Sequence, residues 1–237
     1  MIPAVLRNQL LKLVNKRKWE YYFSLSLLKN DFKSLLSVEK VFNEKNAVEG
    51  RKKIRKYLMD HRKTNKILFI EFGVWEGQFT NLVSESNTNS STRIFGFDSF
   101  VGLPEAWHEH PVGTFSTNGA IPQVKDPRVK YVKGWFQNTL RDSLKKIQFN
   151  NFDEIIVSFD ADLYSSTLFC LVELNSFVDE YTALFDEFSP DECRALYDYT
   201  QAYNADLDFI ARSDYCGLPN QVMCKIKTCQ NFDILSK

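Results

Sequence analysis

From residue 67 onward, short apolar runs alternate with stretches of helical periodicity. Ile67-Leu68-Phe69-Ile70-Glu71-Phe72 is a nearly unbroken apolar run that leads to Gly73 and Gly77. A helical stretch follows over 78–86, so the pattern is strand, turn and helix. Further strands are predicted at 93–97, 129–132, 154–159 and around 183–185, with helices at 139–146, 168–178 and 193–204. A long polar loop with Gly and Pro occupies 99–126. Apolar strands alternating with helices predict a mainly parallel sheet covered on both faces. The last part of the chain departs from that alternation. Residues 208–212 and 221–226 read as two strands joined by a loop containing Gly217, Pro219 and Asn220. This predicts a C-terminal antiparallel hairpin.

The first 66 residues follow a different pattern. Leu10, Leu11 and Val14, then Tyr22, Phe23, Leu25, Leu27 and Leu28, recur at helical spacing and predict two helices over 5–37. A third helix is predicted over 47–61, with Ile54, Leu58 and Met59 on one face and cations opposite. The expected organisation is a basic helical region, 1–66, ahead of a ligand-binding body, 67–237.

Charge sharpens this division. Residues 1–66 hold 17 Lys+Arg against 6 Asp+Glu, and residues 67–237 hold 13 against 24, so a zero formal net charge hides +11 and −11. The basic residues are interspersed with apolar ones rather than blocked together. That favours a surface packed on its own acidic body over a nucleic-acid or membrane contact. No run approaches the roughly 18 apolar residues of a membrane span. The five cysteines, Cys170, Cys193, Cys216, Cys224 and Cys229, show no metal-ligand spacing. They read as reduced thiols of a cytoplasmic protein.

In open parallel sheets, ligands sit beyond the carboxyl ends of the strands. Glu71, Gly73, Val74, Trp75 and Gly77 follow the first strand of the body, and Asp98 and Ser99 the second. Gly134 and Trp135 follow the third, Asp160 and Asp162 the fourth, and Asp186 and Glu187 the fifth. The glycine turn lets a ligand approach the backbone, although it is not a dinucleotide fingerprint. Asp98 suits two hydroxyl donors of a ribose or, alternatively, a turn cap. Paired acids on two neighbouring strands make a hard-oxygen site for Mg²⁺, or else cap the following helices. His61 reads as a surface histidine, His108 and His110 as exposed loop histidines or, alternatively, a base over the sheet end, and Tyr164 suits packing and substrate contact equally.

Several of these segments, in order, resemble class I S-adenosylmethionine-dependent methyltransferases, and more closely the macrocin O-methyltransferase family. They are Glu71 to Gly77, Gly96 to Pro104, Gly113 to Gly119, Lys133 to Phe136, Phe159 to Thr167 and Phe185 to Phe188. The resemblance implies a Rossmann-like α/β fold and methyl transfer from S-adenosylmethionine to a hydroxyl of a sugar or sugar-containing small molecule. It implies that Glu71 to Gly77 hold the methionine part of the cofactor, Asp98 and Ser99 the ribose, and Gly134 and Trp135 the adenine. It further implies Mg²⁺ on Asp160, Asp186 and Glu187, with Asp160 and Asp162 in catalysis and Asp162 as general base. One departure is visible: the family's Asp-Asp after the fifth strand is Asp186-Glu187 here. The N-terminal helices are the expected place for substrate choice and homodimer contacts. Asp160-Ala161-Asp162 also fits the D-x-D pattern of sugar-nucleotide glycosyltransferases, but the glycine turn and Asp98 suit adenosine and methionine better. A non-catalytic binding module is the remaining alternative.

Overall fold

All six residues of strand β2, Ile67–Phe72, are buried, as a central parallel strand requires. A computed structural model describes residues 34–44, 46–188, 190–215 and 218–228. The strands around β2 are β1 (Lys40–Glu44), β3 (Arg93–Asp98), β4 (Val129–Lys133), β5 (Glu154–Phe159), β6 (Glu180–Phe185), β7 (Ala205–Tyr215) and β8 (Leu218–Thr228). They form one sheet in the order β1-β7-β8-β6-β5-β2-β3-β4. Only β8 runs antiparallel to its neighbours, β6 and β7. The predicted hairpin is therefore present. Its strands are longer than expected, however, and Pro219 and Asn220 belong to β8 rather than to the loop.

Strand alternation divides the core in two. Leu68, Ile70, Phe72, Val157, Phe159, Ala183 and Phe185 point to one face. There they meet helices α3 (Phe136–Leu144), α4 (Tyr164–Asn175) and α5 (Asp191–Tyr203). Ile67, Phe69, Ile94, Ile156 and Leu184 point to the other face. They meet α1 (Ala47–Asp60) and α2 (Gln78–Ser86). In α1, Ile54, Leu58 and Met59 are buried as their spacing predicted, each worth about 1.5–3 kcal/mol of burial. The expectation that the cations lie opposite fails at Arg55, which is buried on the sheet side.

Strand β1 was not anticipated. It pairs in parallel with β7, Lys40 opposite Ala211. A five-residue edge strand carrying Lys40 and Asn43 has too little alternation to stand out. β1 and α1 thus precede residue 67, yet β1 joins the same sheet and α1 packs on its face. The two helices expected over 5–37 lie almost wholly outside the described residues.

The end of the long 99–126 segment is fixed by a charge cluster. Asp126 accepts from Ser84 Oγ at 2.6 Å and from Arg128 N and Nε at 2.9 and 3.0 Å. Arg128 also donates to the Ser84 and Asn87 carbonyls, both at 2.7 Å. The Arg128 hydrogen bonds hold the Asp126 carboxyl well below the usual carboxylate range, against its burial. A depressed carboxylate stabilises the fold above the ordinary carboxylate pKa, and that stability is lost as pH falls through the depressed value. Asp126→Asn is expected to cost about 1–2 kcal/mol at pH 7 and progressively less in strong acid. Urea unfolding midpoints at pH 7 and in acid below the depressed value check this; an equal loss at both would contradict it.

Candidate active site

The hydrogen-bond ladder continues one residue past each central strand. Gly73 N donates to Phe97 O at 3.0 Å and Asp160 N to Phe72 O at 2.9 Å. Asp186 N donates to Phe159 O and Gly134 N to Asp98 O, both at 2.9 Å. Gly73, Asp160 and Asp186 are thereby held in one row. The preceding row is aromatic: Phe97, Phe72, Phe159 and Phe185 pack side by side at centroid distances of 5.6, 5.6 and 4.9 Å. These rings face α3, α4 and α5, so the next residue of each strand turns to the α1 side.

A cavity of about 680 Å³ opens over this row. Glu71, Gly73, Val74, Trp75, Asp98, Ser99, Gly134, Trp135, Asp160, Asp162 and Glu187 line it, as expected from the sequence. Two expected residues do not. Gly77 instead begins α2 in a left-handed conformation, φ 77°. Asp186 is fully buried beneath the floor. Arg51, Arg55, Gln78, Trp107, Phe115 and Ser165 also line the cavity and were missed, and His110 lines it too. His110 stacks on Trp107 at 5.5 Å, so it is not the isolated surface histidine its loop position implied. Trp107 belongs to a small buried cluster with Leu103 and Leu163, and it brings the 99–126 segment over the sheet end. His61 is exposed, as expected. Tyr164 donates to Asp198 Oδ2 at 2.8 Å and packs outside the cavity.

Asp98 holds the glycine turn. Its Oδ2 accepts from Val74 N at 2.8 Å and Trp75 N at 2.9 Å, and its Oδ1 accepts from Phe100 N at 2.6 Å. Of the roughly four acceptor sites of a carboxylate, backbone donors take three. The turn-cap function is therefore real, and one acceptor site remains toward the cavity. Glu71 is buried on the α1 side and accepts from Thr80 Oγ1. Burial pushes its carboxyl up to about 8, against that hydrogen bond and Arg55.

The remaining acids do not cap helices. The residues starting α4 and α5 are flanked by Leu163 and Pro190, neither with a side-chain cap bond. Asp162 is held at φ 59°, a sparsely populated region for a non-glycine residue. Burial, and then Asp160 and Glu187, push its carboxyl up to about 8. Burial and Asp186 likewise raise Asp160. Glu192, another residue the sequence did not single out, is fully buried and accepts from Glu187 N at 3.1 Å. Burial and Asp186 raise its carboxyl well above the ordinary value.

The carboxylates expected to hold Mg²⁺ are engaged by other partners. Asp160, Asp186 and Glu187 do converge, but around two guanidinium groups. Arg55 Nη2 donates to Asp160 Oδ2 at 2.8 Å and to Asp186 Oδ1 at 2.7 Å. Arg51 Nε lies 2.7 Å from Asp186 Oδ2, and Arg51 Nη2 lies 3.3 Å from Glu187 Oε1. Among the described residues, no three His, Cys, Asp or Glu gather as metal ligands. A divalent cation between Asp160 and Asp186 would lie against the Arg55 guanidinium that already bridges them, and would have to displace it. The donor set in this arrangement does not fit the metal.

The sheet order, the glycine turn and the cavity at the strand ends define a Rossmann-like, S-adenosylmethionine-dependent methyltransferase. Residues 50–216 match the Macrocin-O-methyltransferase (TylF) family, and the chain belongs to that family. It is an O-methyltransferase. Among solved structures it is similar to the O-methyltransferase NovP, with a TM-score of 0.50 and 18% identity over 78% of this chain and 80% of that one. An O-methyltransferase from Bacillus cereus in complex with SAH gives 0.47 and 12%, over 86% and 90%. TomG from Streptomyces achromogenes, in complex with SAM, gives 0.45 and 11%, over 89% and 90%. No curated protein matches the sequence significantly. No helix among the described residues is long and apolar enough to cross a membrane.

Proposed function

We propose that this protein transfers the methyl group of S-adenosylmethionine to a hydroxyl of a sugar or sugar-containing small molecule, with Asp162 as general base. The observation carrying this reading is the meeting of three features in one cavity. They are the glycine turn clamped by Asp98, Gly134 with Trp135, and the carboxylate of Asp162. A cavity of about 680 Å³ is of the size that small-molecule sites reach. The cofactor brings its own leaving group, so the protein's work is to position the acceptor and take its proton. A carboxylate raised toward neutrality is better matched to an alcohol proton than an ordinary one. Trp75 and Trp135, 42% and 38% exposed, edge the cavity with aromatic faces on which a sugar-bearing acceptor can pack.

Glu71 and Gly73 to Trp75 hold the methionine part in this reading, Asp98 and Ser99 the ribose, and Gly134 and Trp135 the adenine. No step runs through a metal. The setting is cytoplasmic, consistent with free, buried Cys170, Cys193 and Cys224. No nucleic acid is involved, because several cations of the basic segment face their own protein. Arg62 pairs with Glu154 at 2.7 Å, as Arg51 and Arg55 pair with the floor acids. A homodimer formed through the N-terminal helices completes the proposal.

Calorimetric titration with S-adenosylhomocysteine, with UDP as control, tests the cofactor. Micromolar binding of the first and none of the second is expected. Binding of UDP alone would replace this reading with a glycosyltransferase.

A further inference from the structure

We infer that a guanidinium pair, Arg51 and Arg55, supplies the positive charge at the strand-end carboxylates that the family resemblance assigns to a divalent cation, and that methyl transfer by this protein is metal-independent. Four observations lead here. Strand alternation turns Asp160 and Asp186 to the α1 face of the sheet. Helix α1 carries Arg51 and Arg55 four residues apart, hence on one side of the helix. Arg55 is anchored from two directions: its Nη2 bridges Asp160 and Asp186, and its guanidinium carbon lies 4.3 Å from the centroid of the Phe79 ring. Arg51 closes the other side of Asp186 and reaches Glu187, the position where the family's second Asp has become Glu.

The extra methylene of Glu187 lets its carboxylate meet a side chain arriving from α1. Arg51 is also the more exposed of the two guanidiniums and lines the cavity. It can donate N–H groups toward an acceptor hydroxyl, while Arg55 stays committed to the floor. A planar guanidinium is permanently charged and matches two carboxylates geometrically, as an ammonium would not.

The inference rests on the proposed methyl transfer only for its rate measurement; metal binding is read separately. Titration of the full-length protein with Mn²⁺, followed by the free-ion EPR signal, is expected to show no stoichiometric uptake at about 1 mM ion. Methyl transfer is expected to be unchanged in excess EDTA. Thermal unfolding of the wild type should not respond to Mg²⁺, whereas Arg51→Ala/Arg55→Ala should be stabilised by it, because three carboxylates then lack their cations. If that variant does not fold, the wild-type Mn²⁺ titration still decides. Stoichiometric Mn²⁺ uptake by the wild type that Asp186→Asn abolishes would overturn the inference, as would loss of activity in EDTA restored by Mg²⁺. Failure to bind S-adenosylhomocysteine would instead remove the proposed function and leave the Mn²⁺ result standing.

Discussion

Replacing Asp162 by asparagine is expected to lower methyl transfer by about 10²–10⁴-fold, the usual contribution of a general base, and to leave S-adenosylhomocysteine affinity nearly unchanged. Asparagine is the informative substitution because it tolerates positive φ, so the strained turn at 59° survives the change. It also keeps the size of the side chain and removes only the capacity to take a proton. Asp162 lies outside the Arg51–Arg55 pairing, so the variant does not leave a guanidinium unpaired. Single-turnover rates with preloaded cofactor, alongside calorimetric affinity, separate the two effects. A variant with unaltered turnover would remove Asp162 from the chemistry. A variant that also lost cofactor affinity would make it part of the binding site.

The second large effect concerns the turn proposed to hold the cofactor. Gly73 has φ +87°, and a Cβ there would lie 1.8 Å from the Asp160 carbonyl oxygen and 2.6 Å from its carbon. Neither backbone can yield easily, because Asp160 N is bonded to Phe72 O at 2.9 Å and Gly73 N to Phe97 O at 3.0 Å. The left-handed conformation alone costs roughly 1–2 kcal/mol for a residue with a Cβ. Forcing β2 and β5 apart at the floor raises the expected loss for Gly73→Ala to about 3–5 kcal/mol, with cofactor binding abolished. Gly113 provides the control. Its φ is +83°, but nothing lies within 4 Å of an added Cβ. Gly113→Ala should therefore show only the conformational cost. Chemical unfolding of both variants checks the contrast; equal losses would mean that the clash at the floor relaxes freely.

These two sites also show how far local pattern reaches. Gly73 and Asp162 were both visible in the sequence, because each lies within three residues of the end of a short apolar strand. Strand alternation is a local property with period two, so by itself it sets Phe72, Phe97 and Phe159 on one side and the residue after each on the other, although an unbroken apolar run such as 67–72 does not announce which side is which. The helix-forming periods of α1 and α2 were readable for the same reason. The alternation of strands and helices sufficed to place the cavity at the carboxyl ends of the sheet.

Tertiary structure decided what depended on partners distant in sequence. Arg55 meets Asp186 across 131 positions, and β1 meets β7 across a longer span still, Lys40 opposite Ala211. In sequence, Arg51 and Arg55 look like two more cations of a solvated basic helix, since a charged residue is ordinarily exposed. Only the packing of α1 against the sheet shows them turned inward, where buried carboxylates offset the cost of removing their charge from water. The same holds for Asp98, whose acidity was evident but whose commitment to three backbone N–H groups required the turn of β2 beside it. The sequence thus determined the order of elements, the faces of the strands and the place of the cavity, because those follow from local periodicity. The charge balance on the cavity floor was decided by tertiary structure, because it depends on which helix lies over which strand ends.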